Sequence, residues 1–124
     1  MNIVDSSGWI EYFADGPQAA LYAPHIEATH RLLVPSISIT EVYKFVARQQ
    51  GDRSAVRAAA VMRQASVLPL SADLAILAAK LAHIHKLPLA DSIIYASAKA
   101  ASAVLWTQDD DFKGLPQVRF FEKK

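Results

Sequence analysis

The 124-residue sequence contains no cysteine, which excludes disulfides and thiolate zinc sites and makes a reducing cytoplasm the natural expectation. It has no apolar run near the roughly 20 residues that a membrane span needs. The opening stretch MNIVDSSGWIEYF lacks both a basic segment and a long apolar segment, so it does not read as a secretory signal. Charge of either sign is also missing in excess. Lys and Arg total 13 against 12 Asp and Glu, a formal net charge of +1, and no overall field dictates or forbids a nucleic-acid partner. There is no internal repeat, no low-complexity tract and no linker long enough to divide the chain. The composition, 52% hydrophobic and 20% charged, fits a folded globular chain and argues against disorder. A single domain over residues 1–124 is expected.

Short apolar runs alternate with helical patterns along this chain. Asn2 to Val4 reads as a brief strand ending at Asp5, and Trp9 and Phe13 then share one helix face. Gly16-Pro17 punctuates, with Pro17 suited to the first position of a helix within residues 18–30 that Pro24 kinks or splits. Arg31 to Pro35 reads as a strand buried on both faces. A helix follows from about Ser38, with Ile39, Val42, Phe45 and Val46 inward, and Gly51 ends it. The next helix covers about Arg53 to Gln64, and Ser66 to Leu70 forms a further strand. Ser71 caps a helix whose stripe is Leu74, Leu77, Leu81 and Ile84. A helix from about Leu89 to Ala101, a strand from Ala103 to Thr107 and a last strand from Val118 to Phe121 complete the chain. This alternation predicts a three-layer α/β/α sandwich around a four- or five-stranded, mainly parallel sheet.

In such open sheets, sites lie beyond the carboxyl ends of the strands, where strand order reverses. Asp5 follows the first strand, Glu41 lies early in the helix after RLLVP, Asp91 opens the helix at Leu89, and Asp109 follows Thr107. Each has an ordinary alternative. Asp5 could cap the following helix, Ser38 and Glu41 match a capping box, Asp91 suits a helix dipole, and Asp109 to Asp111 could form a polar turn. Those roles do not explain why all four acids project from one edge. Two like charges about 4 Å apart repel by about 4 kcal/mol at intermediate dielectric, so a divalent cation is the economical reason to gather them.

The segments VDSSGWIEYF (4–13), VPSISITEV (34–42), LPLADSIIYASA (87–98) and WTQDDDF (106–112) give this chain a further identity. In order, spacing and length the sequence resembles the PIN domain, and within it the VapC-type toxins of type II toxin–antitoxin systems. The resemblance implies a metal-dependent endoribonuclease that hydrolyses RNA phosphodiester bonds. Carried over by position, the acidic quartet falls on Asp5, Glu41, Asp91 and Asp109, with Asp5, Asp91 and Asp109 as metal ligands and Glu41 addressing the attacking water. Ser7 and Thr107 match small hydroxyl positions that orient the site; Asp111 matches a position that is often acidic, and Asp110 matches none. Mg²⁺ is the implied cofactor, with Mn²⁺ as a substitute, because both take oxygen ligands. The resemblance also implies a homodimer and a cognate VapB-like antitoxin, for which Trp9, Tyr12, Phe13, Tyr43 and Phe45 leave room for a groove.

Between Lys44 and Arg63 the chain carries five cations against Asp52 alone, and Arg48, Arg53 and Arg57 are the candidates for holding RNA phosphates. The four histidines do not pair at metal-ligand spacing; His83 and His85 point about 200° apart on a helix. A receiver-like phosphoacceptor domain is disfavoured, since the first strand supplies one acid and SVLPL leads to Ser71 with no Asp at its end. A catalytically silent PIN-fold module that binds RNA or protein is the remaining alternative.

Overall fold

The computed structural model describes residues 1–124. Its strands are β1 (Asn2–Val4), β2 (Leu32–Pro35), β3 (Ser66–Leu68), β4 (Val104–Thr107) and β5 (Val118–Phe120). Its helices are α1 (Ser6–Phe13), α2 (Ala19–Glu27), α3 (Ser36–Gln50), α4 (Asp52–Met62), α5 (Ala72–His85) and α6 (Leu89–Ala101), with 3-10 turns at Thr29–Arg31 and Asp110–Phe112. All neighbouring strands pair in parallel, in the order β3-β2-β1-β4-β5. The chain builds outward from β1 to β2 and β3, then returns to the other side of β1 with β4 and β5. The order therefore reverses between β1 and β4, which is where an open α/β sheet leaves a crevice.

Period-two alternation along the strands divides the core into two layers. Ile3 and Leu105, with Leu33 beside them, pack against Leu74, Ala78 and Leu81 of α5 and Ile94, Tyr95 and Ala98 of α6. Their neighbours Val4, Leu32 and Val34 face the opposite way, onto Trp9, Tyr22, Val42, Val46, Ala55 and Met62. The expected sandwich is thus a five-stranded sheet, parallel throughout. No helix is long and apolar enough to cross a membrane.

Several local expectations shift. Pro17 precedes α2 by two residues, and Pro24 sits inside that helix without dividing it. Buried Tyr22 and Ile26 hold the helix from either side of Pro24, and the Ala20 carbonyl that loses an intrahelical partner belongs to an exposed residue. Arg31 lies in a turn, and β3 stops at Leu68. Ser71 Oγ does accept from the Leu74 N–H at 3.1 Å, starting α5 as its sequence predicts. Ile84 and Phe45, read as inward-facing, are 65% and 40% exposed. Trp9 is core and packs with partly buried Tyr12 and Phe13 in one aromatic cluster, while Tyr43 and Phe45 are exposed.

Candidate metal centre

Asp5 is fixed by backbone before its side chain acts. Its N–H donates to the Trp106 carbonyl at 2.9 Å, extending the β1–β4 pairing by one residue, while its own carbonyl accepts from Gly8 and Trp9 to begin α1. The side chain makes no helix cap. Instead Oδ2 accepts from Ser7 Oγ at 2.7 Å and from Thr107 Oγ1 at 3.0 Å, and Oδ1 has no donor. Only 2% of the residue is exposed, and burial pushes its carboxyl from 3.8 up to about 6. The two hydroxyls oppose that rise, whereas the charges of Asp109 and Glu41 add to it.

Glu41 is the sixth residue of α3, because that helix begins at Ser36 and not at Ser38. The capping box is therefore absent: Ser38 lies within the helix, fully buried, with no partner for Oγ. Glu41 Oε1 accepts instead from Ser6 Oγ at 2.6 Å, which ties α3 to the start of α1. Asp91, in the first turn of α6, is half-buried. Its carboxyl is held well above the ordinary range, first by burial, then by the charges of Asp109 and Asp5 and by a hydrogen bond with Asp111. Asp109 sits where β4 ends, and its N–H donates to Thr107 Oγ1 at 2.9 Å. The same threonine hydroxyl thus bridges Asp5 and Asp109. One Asp109 oxygen accepts from the Asp111 N–H, closing the 3-10 turn.

Carboxylate oxygens of Asp91, Asp109 and Asp111 lie within 4.8 Å of one another. Above them opens a cleft of about 400 Å³ whose lining includes Asp5, Glu41, Asp91 and Asp109. All four acids singled out in the sequence meet there, from the ends of β1 and β4 and the early turns of α3 and α6. Asp111 is exposed but joins the carboxylate group, and exposed Asp110 has no place in it. The donor set is oxygen alone, which suits a hard divalent cation such as Mg²⁺ or Mn²⁺ and not a thiolate- or imidazole-bound metal. Uncompensated, the same set is repulsive, and the raised carboxyls of Asp5 and Asp91 register that repulsion together with burial.

Of the three arginines expected to hold RNA, only Arg48 lines the cleft. Arg53 and Arg57 project from α4 outside it, and Arg57 borders a separate groove with Phe13, Gln50 and Val61. Gly51, in the left-handed region with φ 92°, separates their helix from α3. Ser6, Ile10, Lys44 and Phe45 also line the cleft, and of these only Lys44 belongs to the basic stretch that the sequence pointed to. A signal existed for the last two: Lys44, Phe45 and Arg48 stand three, four and seven residues after Glu41, hence on its helix face.

Behind the acids is a buried amide network that spacing did not reveal. Gln108 Oε1 accepts from Gln18 Nε2 at 2.9 Å and from the Tyr22 hydroxyl at 3.2 Å, while Gln108 Nε2 donates to Glu11 at 3.4 Å. The histidines stay out of the carboxylate group, as their spacing implies. His25 stacks on Trp106 with ring centres 3.7 Å apart, and His85 meets Tyr95 edge-on.

A family model described as PIN domain matches residues 3–117. Among solved structures, the chain is similar to a toxin–antitoxin complex from Klebsiella pneumoniae, with a TM-score of 0.79, 26% identity and 96% of each chain covered. It is also similar to VapC20 from Mycobacterium tuberculosis, described as a toxin that cleaves the sarcin–ricin loop, with a TM-score of 0.78, 21% identity, and 94% of this chain and 95% of that one covered. DNA-bound VapBC from Salmonella typhimurium follows with a TM-score of 0.75, 16% identity and 98% of each chain covered. No curated protein sequence matches.

Proposed function

The chain belongs to the PIN domain family, and from that premise we propose that it is a Mg²⁺- or Mn²⁺-dependent endoribonuclease, the toxin of a toxin–antitoxin pair. The observation that carries this reading is the meeting of Asp5, Glu41, Asp91 and Asp109 in one cleft at the β1/β4 reversal, with Asp91, Asp109 and Asp111 oxygens within 4.8 Å of each other.

Asp5, Asp91 and Asp109 are the ligands in this account, and Asp111 lends its carboxylate to the last two. Asp5 offers Oδ1, since Ser7 and Thr107 occupy Oδ2. A bound divalent cation supplies positive charge at the scissile phosphate and acidifies water. The chain's own residues do the rest. Glu41, held by Ser6, orients the attacking water and takes its proton. Thr107 keeps Asp5 and Asp109 in a fixed relation, so that the acids are placed before RNA arrives. Lys44 and Arg48 offset the field of the acids along the approach to them.

Assembly belongs to the same reading. Exposed Leu70 and Leu89 border an apolar cleft of about 380 Å³ between α5 and α6, which supports pairing of two copies. The groove edged by Phe13, Val46, Ala58 and Val61 supports a VapB-like antitoxin helix there. Hydrolysis of an RNA panel tests the activity: cleavage with Mg²⁺ or Mn²⁺ is expected, with a loss of at least about 100-fold in Asp5→Asn and Asp91→Asn. Undiminished cleavage in excess EDTA, or by either variant, would reject the assignment, and absence of cleavage by the wild-type protein would leave a silent binding module.

A further inference from the structure

Helix α3 leads away from Glu41 with one face turned to the cleft. Lys44, Phe45 and Arg48 share that face with Glu41, and all four residues line the same space. From Glu41 to Arg48 the face runs about 10 Å along the axis, room for a few nucleotides. Phe45 is the exception to the polarity around it. Its ring is 40% exposed and enters none of the aromatic pairs of the molecule. Lys44 and Arg48 are exposed and free, since the one ion pair within 4.0 Å joins Lys113 to Glu122.

We propose that Phe45 is a stacking platform for the base beside the scissile phosphate, with Lys44 and Arg48 holding the phosphates that flank that base. The inference rests on the ribonuclease reading and adds how substrate is placed. An aromatic face between two cations matches the repeat of a nucleic-acid strand, a flat base between phosphates. A protein segment covering Phe45 has no such need of a cation on both sides. Stacking also requires a base free of its own neighbours, so Phe45 makes the cut site depend on an unstacked nucleotide. The platform acts on binding and register, while the acids act on the bond.

The test uses an RNA oligomer carrying 2-aminopurine beside the cut position, with Asp91→Asn as the background that keeps the strand whole. Binding is expected to quench the probe, and Phe45→Ala to abolish quenching and weaken binding by about 5- to 100-fold. Phe45→Trp is expected to restore both, and Phe45→Leu neither, although leucine keeps the apolar bulk. In the otherwise wild-type protein, Phe45→Ala is expected to raise KM with kcat nearly unchanged. If wild-type protein cuts RNA while Phe45→Ala matches it in KM and quenching, the platform is overturned and the ribonuclease reading stands. If wild-type protein neither binds nor cuts RNA, both are overturned.

Discussion

Asp5 has to keep a charge in a place where 2% of it meets solvent, and two hydroxyls do much of that work. Removing Thr107 Oγ1 takes away one of those donors and also the acceptor for the Asp109 N–H. Thr107→Ala is therefore expected to raise the Asp5 carboxyl further and to weaken Mn²⁺ binding by about tenfold, measured by calorimetry. Ser6→Ala acts elsewhere. It frees Glu41 without touching the ligands, so cleavage is expected to fall by about tenfold in kcat with metal affinity unchanged. The quartet was legible in the sequence because each acid stands at the end of a strand or the start of a helix. Ser6 was not, since only the fold brings it to Glu41 35 positions away.

At the scale of elements, α1 is aimed by a close approach that only a glycine permits. A Cβ on Gly8 would meet the Tyr22 ring at 2.5 Å and Val4 Cγ1 at 2.7 Å, and both neighbours are fully buried. Gly8→Ala is expected to destabilise the protein by about 1–3 kcal/mol in thermal or urea unfolding, and to lower activity by shifting Ser6 and Ser7. Most elements could be read from alternating and helical periodicity, including α6 and β4 nearly to the residue. The start of α3 could not. A Ser-x-x-Glu pattern at 38 to 41 pointed to a cap, but Pro35 already stands at the N-cap and the helix begins two residues earlier. The placement of the basic residues was only partly legible, since Arg48 lines the cleft while Arg53 and Arg57, on α4 beyond Gly51, do not.

For the whole molecule, the gathered acids trade stability for function. The Asp5 carboxyl rises from 3.8 to about 6 on folding. Below the lower value, folded and unfolded chains both hold the proton. Between the two values the folded chain holds it alone, so stability falls as pH rises and is lower by about 3 kcal/mol above the upper value. Asp91 shifts in the same direction. Partly buried His25, whose imidazole is lowered, works in the opposite sense as pH falls. Comparison with Asp5→Asn isolates the carboxyl. In EDTA the variant is expected to melt several degrees above wild type at about pH 8 and level with it near pH 4. Equal melting at both values would mean that Asp5 carries no buried charge.

The central claim is that these carboxylates come together to hold a divalent cation, and calorimetric titration of Mn²⁺ into metal-free protein at about pH 8 addresses it directly. Saturable binding is predicted, with proton release that grows as pH is lowered toward the raised carboxyl values, and with affinity at least tenfold weaker in Asp91→Asn. Absence of binding to the wild-type protein, or equal binding by Asp91→Asn, would contradict the account.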